Sequence, residues 1–113
     1  METYGSGEQL WDAFGDGTRR AILRCLAERP HAVSEIAARL PVSRPAVSQH
    51  LKVLKDTGLV SDEAVGARNI YRLNPAGLSA LRDQLDTFWN RALAGYESTV
   101  AETERTEPTE EPR

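Results

Sequence analysis

The sequence predicts a mainly α-helical domain with one small β-hairpin, in the order α-α-α-α-β-β-α. Three observations predict it. Four segments before Gly58 repeat apolar residues at helical spacing, which gathers them on one side. From Leu59 to Leu73 the period falls to about two around a central glycine, the pattern of two strands and a tight turn. From Leu78 to Val100 the spacing returns to three and four and holds over several turns.

Leu10, Trp11 and Phe14 share one face of a short first helix. Asp16 is placed to cap a second helix, Thr18 to Glu28, with apolar face Ile22, Cys25 and Leu26 and with Leu23 beside it; Pro30 follows its end. Val33, Ile36, Ala37 and Leu40 fit i, i+3, i+4, i+7 in a short third helix, which Pro41-Val42 breaks. Ser43 is a strong N-cap for the fourth, with Pro45 in its first turn, where a missing N–H does no harm. Val47, Leu51 and Leu54 are its buried stripe, and Gly58 is its expected left-handed end. Leu59–Val65 and Asn69–Leu73 read as strands around Gly66-Ala67-Arg68. Asn74 caps and Pro75 opens the last helix, with apolar positions Leu78, Leu81, Leu85, Phe88, Trp89, Ala92, Leu93, Tyr96 and Val100. Gly77 and Gly95 should each weaken it by up to about 1 kcal/mol relative to Ala.

At 113 residues the chain has the length of one domain. Residues 1–7 are polar and Gly-rich and are expected to be mobile; 8–100 hold the domain. Residues 101–113 have two prolines and no apolar periodicity, so a disordered acidic tail is expected. No run approaches the ~20 apolar residues that cross a bilayer. The N-terminus has no basic or apolar stretch of a secretory signal, so the cytoplasm is the expected compartment. A single cysteine, Cys25, excludes an intrachain disulfide. With only His31 and His50 beside it, a four-cysteine or two-cysteine, two-histidine zinc site is excluded too.

The net charge of −3 argues against a polyanionic partner until its distribution is read. Residues 101–113 hold five glutamates and two arginines, so the other hundred residues are neutral overall. Between Ser43 and Lys55 there are three cations, Arg44, Lys52 and Lys55, and no acid; Arg19, Arg20 and Arg24 form a second acid-free cluster. Either cluster alone reads as a solvated helix face. Local field, however, governs polyanion binding more than net charge does.

A short helix, a tight turn and a capped helix form a helix-turn-helix, and the hairpin directly after it makes the pattern winged. With Val47, Leu51 and Leu54 inward, the fourth helix leaves Arg44, Pro45, Ser48, Gln49 and Lys52 outward, flanked by His50 and Lys55. All but Pro45 donate hydrogen bonds and none is acidic, which suits the base edges and phosphates of double-stranded DNA. Arg44 is placed for guanine, Gln49 for adenine, Ser43 and Ser48 for phosphate or a base, and Lys52 and Lys55 for the backbone. Arg68, at the hairpin tip, is placed for a minor groove or a phosphate. Ser43 also reads as an N-cap, His50 as a packed histidine and Arg68 as a soluble turn residue; singly, Gln49 and Lys52 read better as ordinary solvated residues. Their joint arrangement favours DNA.

Residues 10–96 resemble the ArsR/SmtB family of bacterial winged helix-turn-helix transcriptional regulators. The matching stretches are FGDGTRRAIL (14–23), VSEIAARLPVSRPAVSQHLKVLKDTGLV (33–60) and RNIYRLNPAGLSALRDQLDTFWNRAL (68–93), the central one being the most specific. The resemblance implies a homodimer built from the first and last helices, a palindromic operator and most often repression. Leu10, Trp11, Phe14, Leu81, Leu85, Phe88, Trp89 and Tyr96 are the expected interface. They exceed what so small a core can cover; intrachain packing of Phe88 and Trp89 is the alternative, and a mixture is expected with the dimer favoured. The FW pair at Phe88-Trp89 is similar to a subgroup without the usual metal motifs. The Cys-x-Cys pattern of metal sensors has no counterpart in Val33–Leu40. Where such sensors carry an Asp-x-His pair, Asp83 is followed by Gln84-Leu85, and no histidine follows His50. No cofactor is evident; a divalent metal effector bound by Asp83, Asp86 or Glu97 lacks motif support. Cys25 falls on an apolar face and reads as core. Gly17 stands where many relatives have proline. A metal- or ligand-responsive sensor with a non-standard effector site, an activator in place of a repressor, and an interaction module working through the tail remain open alternatives. An enzyme is not expected: Ser48 and His50 do not face one another on a helix, and no P-loop, HExxH or Rossmann glycine motif occurs.

Overall fold

The structure, a computed structural model, describes residues 7–106. Its elements are α1 (Gly7–Gly15), α2 (Gly17–Glu28), β1 (His31–Ala32), α3 (Val33–Arg39), α4 (Arg44–Asp56), β2 (Val60–Val65), β3 (Arg68–Leu73) and α5 (Pro75–Thr106). This is the expected mainly helical order with its hairpin. The chain divides into a first unit through Arg82 and a second from Asp83 onward.

The sheet holds one strand more than the sequence suggested. β2 and β3 pair antiparallel from Val60↔Leu73 to Val65↔Arg68, and β1 adds to the other edge of β3 through His31↔Tyr71 and Ala32↔Ile70. Two residues are too few to show a period. The turn is Gly66-Ala67 alone, with Gly66 at φ 63°, so Arg68 opens β3 rather than standing at the tip. His31 is fully buried. Its Nδ1 lies 2.7 Å from the Arg29 carbonyl and its Nε2 3.3 Å from Arg39 Nη1. A carbonyl only accepts and a guanidinium only donates, so the ring proton sits on Nδ1.

Cross-element capping joins the first two helices. Asp16 caps α2 by accepting from the Arg19 backbone N–H at 3.0 Å, and that bond chiefly holds its carboxyl below the usual range. The Arg19 guanidinium donates to the Ala13 carbonyl at 2.9 Å, and Arg20 donates to the Phe14 carbonyl at 2.8 Å. These carbonyls end α1 and have no helical donors of their own. Positive charge there also opposes the negative end of the helix. Two members of the second basic cluster thus have structural partners.

The core gathers Leu10, Ile22, Leu26, Ile36, Val47, Leu51, Leu54, Leu59, Val60 and Leu81. Cys25 is buried as expected. Leu10 and Leu81, expected at a dimer interface, belong to this intrachain core: each is at most 5% exposed. Gly77, expected to weaken α5, has a packing role instead. It is not a weak point, because the Gly58 backbone occupies the place of its Cβ.

The second unit is the remainder of α5. Leu85, Phe88, Trp89, Leu93 and Tyr96 are all exposed on it, Trp89 at 61% and Tyr96 at 67%. The helix continues through residues 101–106, the first half of the expected disordered tail. That stretch holds good helix formers and no proline, so propensity extends the helix without an apolar face. Residues 107–113 lie outside the described residues. At the other end α1 begins at Gly7, and residues 1–6 lie outside the described residues as well.

Candidate nucleic-acid interface

Local chemistry fixes both ends of α4. Ser43 Oγ accepts from the Ala46 N–H at 3.2 Å, and Pro45 lies in the first turn. At the far end the Gly58 N–H reaches the Lys55 carbonyl at 3.0 Å and the Leu59 N–H reaches the Leu54 carbonyl at 2.9 Å, with Gly58 at φ 85°. This is the Schellman pattern, which requires a residue at ease with positive φ. Leu54 and Leu59, joined by it, are both fully buried.

Val47, Leu51 and Leu54 are fully buried, each contributing about 1.5–3 kcal/mol of apolar transfer. Their burial fixes the rotation of α4. Ser43, Arg44, Pro45, Ser48, Gln49 and Lys52 are consequently exposed together, with His50 half-buried. His50 Nδ1 lies 3.3 Å from Arg19 Nη1. The guanidinium donates there, so in the neutral ring Nε2 carries the proton. Arg44 and Arg68 line one shallow cleft of about 210 Å³ with Ser34 and Asn69, between the start of α4 and the hairpin turn.

The face is acid-free along the chain but not in space. Lys52 Nζ lies 3.0 Å from Asp56, Lys55 Nζ 3.0 Å from Asp62 and Arg68 Nη2 3.0 Å from Glu35. Asp62 also accepts from Asn69 Nδ2 at 2.8 Å; that bond first, then Lys55, holds its carboxyl below the usual range. Asp62 in turn raises the Lys55 ammonium. Glu35 is lowered first by the Ala32 backbone N–H, 2.8 Å away, then by Arg68. Among the described residues Arg44 has no ion-pair partner.

Sequence reasoning missed Arg19 as the buttress of His50, and Glu35, Asp56 and Asp62 as partners. Only Lys52–Asp56, four apart on one helix, carried a local signal. Among the described residues no three His, Cys, Asp or Glu side chains converge as metal ligands. No described helix is long and apolar enough to cross a membrane.

Residues 16–62, from the α2 cap to the start of β2, match the model of the bacterial regulatory protein, arsR family. The HTH-type transcriptional regulator Rv2034 of Mycobacterium tuberculosis is 58% identical over 88% of this chain and 94% of its own length. The chain belongs to the ArsR family. Another relative, the HTH-type transcriptional repressor SmtB of Mycobacterium tuberculosis, is 39% identical over 64% of this chain and 53% of its own. A solved structure, that of a possible transcriptional regulator for arsenical resistance, superposes with a TM-score of 0.69 at 37% identity, covering 77% of this chain and 95% of that one. As an ArsR protein the chain is a DNA-binding transcriptional regulator and not an enzyme. Its fold is the ArsR winged helix-turn-helix.

Proposed function

We propose that the chain is a homodimeric repressor that lays α4 in the major groove of a two-fold symmetric operator. One observation carries this reading. The face of α4 that burial turns outward is the one whose side chains donate hydrogen bonds, from Ser43 through Arg44, Ser48 and Gln49 to Lys52. Arg44, in the first turn and without an ion-pair partner among the described residues, is the leading base reader. Gln49 follows it, with Ser43, Pro45 and Ser48 fitting the groove wall and His50 supplying an Nε2–H donor. Lys52 and Arg68 meet phosphates. A second copy fits the exposed apolar residues of α5, since such patches mark interfaces. A two-fold dimer would present two recognition helices about one DNA turn, ~34 Å, apart. The repressor SmtB, similar to this chain, supports repression by its name alone.

Selection from a random duplex pool, followed by footprinting, tests the reading. Recovery of an inverted repeat, with lower transcription from a promoter that carries it, is the expected result. Recovery of no sequence preference would refute it.

A further inference from the structure

We infer that the carboxylates of Glu35, Asp56 and Asp62 set DNA specificity, by occupying cations that would otherwise hold any duplex. The inference rests on the DNA-binding reading above and adds a role for residues outside the contact face. Each carboxylate lies 3.0 Å from a basic group of that face: Asp56 from Lys52, Asp62 from Lys55, Glu35 from Arg68. Non-specific affinity follows the number of phosphates neutralised, whatever the sequence. A cation already paired must give up its carboxylate to reach a phosphate, or carry that carboxylate against the strand. Both routes lower the gain from every phosphate contact alike. The Lys52–Asp56 and Arg68–Glu35 pairs are exposed on both sides and weak enough to exchange once base contacts hold the helix in place, whereas Asp62 is largely covered and holds Lys55 more firmly. A duplex that offers partners to Arg44 and Gln49 therefore overcomes the exchange, and a random duplex does not.

Asp56 gives the clearest case. It is the last residue of α4, where the helix dipole disfavours an anion. It stands four residues after its lysine, the weaker of the two orders for a helical ion pair. Helix stability therefore gives little reason for a carboxylate there. Its side chain is 62% exposed and that of Lys52 75%, so the pair is open to exchange. Glu35 and Asp62 have structural duties as well, accepting from the Ala32 N–H and from Asn69.

The test uses the full chain, a duplex of random sequence and a duplex selected by the protein, titrated over a salt series by fluorescence anisotropy. Asp56→Asn should tighten random-duplex binding about 2- to 5-fold. It should steepen the log–log salt slope by up to about 0.9, one phosphate contact, and narrow the gap between the two duplexes. Glu35→Gln keeps the acceptor for Ala32 and should act in the same direction at the wing. In a Lys52→Gln background the gain from Asp56→Asn should vanish. If it persists there, the effect is one of net charge and masking is overturned. Unchanged affinity and slope overturn it too, as does equal tightening on both duplexes. A wild-type chain that binds neither duplex at low salt defeats the DNA-binding reading itself and takes this inference with it.

Discussion

Gly77 of α5 lies against the carbonyl of Gly58, so close that a Cβ on Gly77 would enter that peptide group. Asn74 holds the same carbonyl, its Nδ2 donating at 2.9 Å. The end of α4 and the start of α5 are thus joined backbone to backbone, which ties the placement of α4 to a residue nearly twenty positions later. Gly77→Ala is expected to destabilise the chain by about 1–3 kcal/mol through overpacking, despite the alanine's better helix propensity. Gly95→Ala, with open space at the Cβ position, should instead stabilise by up to about 1 kcal/mol. Urea midpoints of the two variants should move in opposite directions. A Gly77→Ala chain as stable as wild type would refute the close approach.

The contrast between these two glycines shows what was legible in the sequence. Propensity treats them alike, because it knows only the helix they share. What separates them is a backbone from another element. The same limit hid β1, whose pairing is written in the partner strand, and the acids near Lys55 and Arg68, which arrive from β2 and α3. Leu10 and Leu81 lie on the correct apolar faces, yet periodicity does not say which part of a stripe a small core uses up. Local features read well for the opposite reason. Ser43, Pro45, Gly58 and the Val47-Leu51-Leu54 stripe act within one helix and its caps, and each stands where the sequence put it.

Arg19 serves α1, α2 and α4 at once through the Ala13 carbonyl, the Asp16 cap and His50. Arg19→Ala should lower stability by about 1.5–3 kcal/mol, the range for a hydrogen bond to a charged donor. Arg19→Lys should rescue little, because an ammonium lacks the planar fork that spans two partners. Denaturant titration of both variants checks this. A full rescue by lysine would mean that charge alone, not the fork, supports the end of α1.

Asp16, Glu35 and Asp62 all have folded-state carboxyls below their usual range, so each favours folding when ionised. Their contribution is complete above the unfolded-chain value of about 4 and is lost as pH falls through the lower folded value. Stability should therefore hold from neutral pH down to about pH 5 and decline below about pH 4. Asp62→Asn should flatten part of that decline, since Asn69 and Lys55 then face a group that does not titrate. Lys55 is shifted the other way, upward, so its share persists below its unfolded value of 10.5 and fades as pH rises through the higher folded one. Urea midpoints across pH check both limbs. An acid limb identical in wild type and Asp62→Asn would remove Asp62 from the account.

Arg44 and Lys52 should differ in kind as DNA contacts, not only in size. Arg44→Ala and Gln49→Ala are expected to relax preference at particular operator positions, by about 1–3 kcal/mol each. Lys52→Ala should weaken binding without changing the preference at any one operator position. Because Lys52 is already paired with Asp56, its loss should be smaller on random sequence than on the selected operator. Base-substituted operators measured against each variant give the answer. Equal losses on every duplex for all three would exclude base readout by this face.

Trp89 and Tyr96 are the most exposed large apolar residues of α5, on a helix whose Leu85 and Leu93 lie along the same stripe. In a dimer such aromatics become the buried centre of the interface, where truncating one typically costs about 2 kcal/mol or more. Trp89→Glu places a charge there and should cost at least as much, because a carboxylate desolvated without a partner is penalised further. Exposure in the single chain means the same substitution should leave the subunit folded. Sedimentation should therefore show monomer at concentrations where wild type is dimeric, with an unchanged far-ultraviolet spectrum. Operator affinity should fall more than affinity for a single half-site, because only the dimer couples two recognition helices. A Trp89→Glu chain that remains dimeric would move the interface off this face and leave the aromatic stripe without its proposed role.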